Sequence, residues 1–153
     1  MVILIVLVIL TFVSMQNIIT VHTDGASRGN PGAAAIAFVI SGLQDGKVEY
    51  KEAIGVHSNN QAEYRAMLSA LGRLVELEIK DADISIFSDS ELMVKQIKGE
   101  YRVKDVNLKP LFDQVSSHCA RLETSGNQLQ FTAIRRELNK DADRLANIAL
   151  DEA

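Results

Sequence analysis

One cysteine, two prolines, three histidines and no tryptophan are all that 153 residues hold of these four types. A lone thiol, Cys119, cannot close an internal disulfide. It fits a reducing compartment, and its amphipathic surroundings read as a site for a small buried apolar group. His22, His57 and His118 lack metal-ligand spacing, so they are read as structural or surface residues. Positive charge is not in excess either. The formal net charge is −4, which speaks against a polyanionic partner until divalent ions are counted. Two such ions would restore neutrality, so net charge leaves the partner class open. After residue 15 there is no internal repeat, low-complexity tract or Pro/Gly-rich linker, and one domain is expected over residues 15–153. That length suffices to bury about 68–70% of the unfolded chain's surface without cross-links. Hydrophobic content of 47% and charged content of 24% describe an ordinary soluble globular chain, and a cytoplasmic monomer is expected.

Residues 1–14 differ from the rest. The run from Met1 to Val13 is almost wholly apolar. As a helix it would span ~20 Å, short of the roughly 30 Å hydrocarbon core. It has no basic flank and no small-residue cleavage site of the kind a secretory signal carries. Met15 is expected to be the natural start, with a weak membrane tether as the rival explanation. No stable membrane association is expected.

Periodicity sets the coarse organisation. Residues 18–23 read as a strand, followed by a glycine-rich turn through Gly25, Gly29, Pro31 and Gly32. Residues 33–40 and 47–54 read as two more strands joined at Gln44-Asp45-Gly46. In residues 62–78 the period changes: Ala66, Met67, Ala70, Leu71, Leu74 and Leu77 recur at helical spacing. A strand over 83–88, helices over 91–98 and 108–123, a strand over 129–134 and a helix over 140–150 complete the order βββαβααβα. That order implies a mixed sheet with helices packed on its faces.

Four carboxylates stand in four short signatures: Asp24 in Asp24-Gly-Ala-Ser-Arg-Gly-Asn-Pro-Gly32, Glu63 after Asn59-Asn60, Asp89 between Ser88 and Ser90, and Asp143 in Asp141-Ala-Asp143. Glu63 shares a helical stripe with Met67, Ala70 and Leu74. A carboxylate on an apolar face needs a partner, or else closes a capping box with Asn60. Asp24 reads alternatively as a turn-initiating aspartate before glycine, and Ser88, Asp89 or Ser90 as a helix N-cap. Asp141 and Asp143 both lie in the first turn of the last helix, where acids favour the dipole, and periodicity does not choose between them. Hard oxygen ligands of this kind select Mg²⁺ or Mn²⁺. The glycine-rich segment lacks the Gly-Lys-Ser/Thr ending of a mononucleotide loop and precedes a strand. Lys95, Lys98, Arg102, Lys104 and Lys109 form a loosely basic region, either solvated surface or phosphate-tracking.

Taken in order, Asp24-Gly-x-x-x-Gly-Asn-Pro-Gly, Ser58-Asn59-Asn60-x-x-Glu63, Ser88-Asp89-Ser90 and Asn139-x-x-Ala142-Asp143-x-Leu-Ala resemble type 1 ribonuclease H from about Gln16 onward. The resemblance implies an α/β fold: a mixed five-stranded sheet, an antiparallel three-strand meander plus two parallel strands, with helices on both faces. It implies Asp24, Glu63, Asp89 and Asp143 as catalytic ligands of two Mg²⁺ ions (Mn²⁺ as substitute), and it selects Asp143 over Asp141. It further implies that Asn30, Ser58, Asn59 and Asn60 contact an RNA–DNA hybrid duplex, while Gly25, Ala26 and Ser27 let the backbone approach the RNA. The implied reaction is two-metal hydrolysis of the RNA strand, leaving 3′-hydroxyl and 5′-phosphate ends.

Two departures from the family pattern are visible. The segment Ile134-Arg-Arg-Glu-Leu-Asn-Lys140 lacks the histidine that many members carry before the last acid, leaving Arg135, Arg136 or Glu137 to take part. Without tryptophan, and with only a short Gly99-to-Leu108 connection, the chain also lacks the tryptophan-bearing basic protrusion that many bacterial members carry. Two rival readings are a non-catalytic hybrid-binding module and an acidic 3′-to-5′ exonuclease of related fold. The latter generally opens with Asp-x-Glu, and position 26 is Ala.

Overall fold

The computed structural model describes residues 17–153. The expectations for residues 1–14 and for the start at Met15 lie outside them. Strands β1 (Asn17–Gly29), β2 (Gly32–Ser41) and β3 (Val48–His57) form the antiparallel meander. Helix α1 (Asn59–Glu76), strand β4 (Ala82–Ser88), helices α2 (Glu91–Ile97) and α3 (Lys109–Thr124), strand β5 (Gln128–Ala133), a 3₁₀ turn (Arg136–Leu138) and helix α4 (Lys140–Glu152) follow. The five-stranded sheet has the order β3-β2-β1-β4-β5, with β4 parallel to β1 and β5 parallel to β4. The mixed sheet implied by the element order is therefore the one that forms.

Strand alternation explains why helices cover both faces. Successive side chains of a strand point to opposite sides. Ala34 to Ile40 of β2 are all buried, so neither face of that strand is left to solvent. Phe38 and Ile40 join Ile19 and Val21 in the large core beneath Met67, Leu71 and Leu74 of α1 and Leu111, Val115 and Leu122 of α3. Ala35, Ala37 and Val39 point the other way and meet Leu145, Ala146, Ala149 and Leu150 of α4. Pro110 occupies the first turn of α3, where its missing N–H removes no intrahelical bond.

Two local expectations are corrected. The first strand does not stop at residue 23: Gly25 to Gly29 stay in register with Ile36 to Gly32, and only Asn30 and Pro31 remain for the turn. Asp24 is thus a mid-strand residue and not a turn initiator. Gly29 adopts φ 111° there, a left-handed conformation that glycine reaches at no steric cost. Secondly, α1 begins three residues earlier than its apolar stripe suggested. Its capping box is Ser58 with Gln61, so Glu63 is not part of one. Among the described residues no helix is long and apolar enough to cross a membrane.

Candidate active site

Parallel pairing of β1 with β4 ends at Thr23 opposite Ser88. Asp24 and Asp89 are the next residue on each chain, so the register sets two carboxylates side by side where the strands part. Glu63 arrives from α1, which crosses directly over β1. A Cβ on Gly25 would lie 2.2 Å from the Ala62 carbonyl carbon and 2.3 Å from the Glu63 nitrogen. The missing side chain is what lets the helix backbone descend to the strand. The Gly25 N–H then donates to Glu63 Oε2 at 3.2 Å. Each of Asp24, Glu63 and Asp89 offers an oxygen within 4.8 Å of the others'.

Such a cluster is electrostatically unfavourable by itself. Unit charges at this separation repel by roughly 3–4 kcal/mol per pair at an effective dielectric near 20. Asp24, 4% exposed, has its pKa pushed up to about 8, first by burial and then by the charges of Asp89 and Asp143, with Arg136 pulling partly the other way. Burial, and after it the charges of Asp24 and Asp89, hold Glu63 well above the usual carboxylate range, with the Gly25 N–H pulling partly the other way. Asp89 Oδ1 is buried without a hydrogen-bond partner among the described residues. Among the described residues, no lysine or arginine forms an ion pair with any of the three. A compact, anionic, all-oxygen set with an unsatisfied ligand atom fits a hard divalent cation.

Asp143 completes the group at longer range. All four acids line one cleft of about 310 Å³ with Arg136, and Asp143 Oδ1 accepts from Arg136 Nη2 at 3.1 Å. Asp141 lines a separate cavity beside His22, so the structure separates the two acids that periodicity left equivalent. A larger groove of about 1280 Å³ lies between β5, α2 and α3. It shares Asp89 and Arg136 with the acid cleft but holds no cluster of ligands.

The expected contact residues divide. Gly25, Ala26, Ser27 and Asn59 line the cleft. Ala26 also packs against α4, and Ser27 Oγ donates to the His57 carbonyl at 2.8 Å. Asn30 Oδ1 accepts the Asn59 N–H at 3.1 Å, tying the β1–β2 turn to the start of α1. Ser58 caps α1, and Asn60 is exposed at the same end. Of the loop residues offered in place of the histidine, Arg136 is the one whose charge acts on Asp24. The Gly99-to-Leu108 connection contains no helix.

A family model described as "Reverse transcriptase-like" matches residues 22–149. Ribonuclease HI of Halobacterium salinarum is 38% identical over 133 residues, covering 86% of this chain and 64% of that protein. The chain belongs to the type 1 ribonuclease H family. Among solved type 1 structures, the N-terminal RNase H domain of Rv2228c from Mycobacterium tuberculosis superposes with a TM-score of 0.80 at 32% identity, covering 90% of this chain and 96% of that one. LC11-RNase H1 in complex with an RNA/DNA hybrid gives a TM-score of 0.80 at 36% identity, covering 88% and 97%. The bifunctional protein Rv2228c itself is longer, and the match spans 36% of its length.

Proposed function

We propose that this ribonuclease H fold is a divalent-metal-dependent endonuclease that hydrolyses the RNA strand of RNA–DNA hybrids. The observation that carries the reading is the convergence of Asp24, Glu63 and Asp89 within 4.8 Å, in a cleft that Asp143 also lines. The hybrid bound to LC11-RNase H1 supports the substrate class.

Asp24, Glu63, Asp89 and Asp143 would hold two ions, Mg²⁺ or Mn²⁺, with Asp24 at the centre of the set. Bound there, the ions would supply Lewis acidity for activating water and stabilising the leaving 3′ oxygen, and the products would carry 3′-hydroxyl and 5′-phosphate ends. The chain's own residues do the rest. Gly25 N–H holds Glu63 in its ligating orientation. Asn59, exposed at the start of α1 and fixed through Asn30, meets the duplex beside the cleft. Arg136, 73% exposed at its side chain, balances the acids and offers its guanidinium to the substrate's phosphate. Discrimination for RNA would rest on the 2′-hydroxyl.

The test is one labelled hybrid beside single-stranded RNA and both homoduplexes, with and without Mg²⁺. Cleavage of the hybrid's RNA strand only, abolished in Asp24→Asn and Asp89→Asn, is expected. Retained activity in both variants overturns the assignment. Cutting of a circular or end-blocked hybrid separates endonuclease from exonuclease.

A further inference from the structure

Helix α4 starts at an asparagine, one of the best capping residues, yet the Asn139 side chain makes no capping hydrogen bond. Its carboxamide points to the sheet. Asn139 is 1% exposed, and its Nδ2 donates to the Thr23 carbonyl at 2.8 Å, across 116 positions of sequence. Thr23 directly precedes Asp24. Asn139's own backbone is bonded on both sides: its N–H donates to the Arg136 carbonyl at 3.0 Å, and its carbonyl accepts the Asp143 N–H at 3.1 Å. One residue therefore joins the strand of Asp24, through its side chain, to the turn of Arg136 and the helical turn of Asp143, through its backbone.

Stability alone does not account for this residue. Asn139 Oδ1 and the nearby Thr23 Oγ1 are both buried without a partner among the described residues, an unfavourable state for polar atoms. A serine or aspartate at the same position could cap α4 instead. Asp143, meanwhile, is not one of the three closely converged carboxylates, and its helix meets a sheet face of small residues, Ala35, Ala37 and Val39, through Leu145, Ala146, Ala149 and Leu150.

We propose that Asn139 is a positioning residue for the divalent-ion site: its bond to the Thr23 carbonyl keeps Asp143 and Arg136 within reach of the Asp24–Glu63–Asp89 cluster. This rests on the metal-dependent reading above.

Mn²⁺ titration of the full chain, followed by calorimetry without substrate, tests it. Asn139→Ser is the informative variant, because serine can cap α4 and support folding but is too short to reach the Thr23 carbonyl. Asn139→Ala removes both possibilities. Each is expected to weaken Mn²⁺ binding by about tenfold, the scale of losing a partner that orients a ligand. Asn139→Ser is expected to do so while keeping a melting temperature at or above that of Asn139→Ala. In an Asp143→Asn background, Asn139→Ser should cause no further loss, because the residue it positions no longer ligates. Independent, multiplying losses in the double variant overturn the proposal, as does an unchanged titration in Asn139→Ser. Wild-type protein that takes up no Mn²⁺ overturns the metal-dependent reading itself, and the proposal with it.

Discussion

The two faces of the sheet are built from different stock. Against α1 and α3 lie Ile19, Val21, Phe38, Ile40, Ile84 and Ile86, met by Met67, Leu71, Leu74, Val115 and Leu122. Against α4 lie Ala35, Ala37 and Val39, met by Leu145, Ala146, Ala149 and Leu150. Large interdigitating side chains fix a helix strongly, since each buried Leu or Ile contributes about 1.5–3 kcal/mol. Small ones permit close approach but contribute less area. Each face delivers acid to the same cleft. Glu63 comes from the heavily anchored helix, and Asp143 from the lightly anchored one, where a polar tie through Asn139 supplements packing. The two flanks of the site thus rest on packing of different size.

The largest effect breaks the site and leaves both faces intact. Asp24→Asn or Asp89→Asn should bring hybrid cleavage below detection with unchanged far-UV circular dichroism. Next comes the asymmetry itself. Leu71→Ala in the large core should cost about 2–5 kcal/mol by urea unfolding, and Leu145→Ala, facing the alanine side, should sit at or below the lower end of that range. Equal costs would show the two faces to be equally anchored.

A third measurement concerns protons. Without ions, Asp24 titrates near 8 in the folded chain, above its ordinary value of 3.8, and Glu63 is raised as well. The folded state therefore holds more protons than the unfolded state between these values. Metal-free stability should be greatest below about pH 4 for this contribution, and should fall as pH rises through about 8. In EDTA, Asp24→Asn should flatten that dependence and raise the melting temperature at pH 8.5 by several degrees, roughly 2–4 °C per kcal/mol recovered. Mg²⁺ should stabilise wild-type protein more at pH 8.5 than at pH 5, because ions and protons compete for the same oxygens.

The smallest stability effect is expected at Arg136. Its pair with Asp143 is exposed, so Arg136→Ala should change unfolding free energy by no more than about 1 kcal/mol. Activity should fall nonetheless, and the Asp24 pKa, which Arg136 lowers, should rise. An alkaline shift of the low-pH limb of the rate profile is the reading to seek.

Much of this was legible along the chain. Helical spacing located Met67, Ala70 and Leu74 on one buried stripe, and apolar runs located the strands, because side-chain period follows backbone geometry. Four acids in order pointed to the family to which the chain belongs. What misled was local: Asp24-Gly25 looks like a turn, and Asn60-x-x-Glu63 looks like a capping box. Both patterns are real turn and cap grammar, overridden here by strand pairing across Ala33 to Ile36 and by Ser58 with Gln61. The basis for choosing Asp143 over Asp141 was resemblance and not periodicity. Only the cleft, which Asp143 lines and Asp141 does not, supplied a geometric reason.

The sequence by itself determined the element order and the apolar stripe of α1, since each depends on neighbours a few residues away. Tertiary structure decided that Gly25 makes room for a helix backbone, that Asn139 reaches Thr23, and that Arg136 faces the acids. These are contacts between residues 38 to 116 positions apart, or across a turn whose direction the sheet imposes. No local period encodes them, because they exist only once register and packing have fixed where each backbone runs.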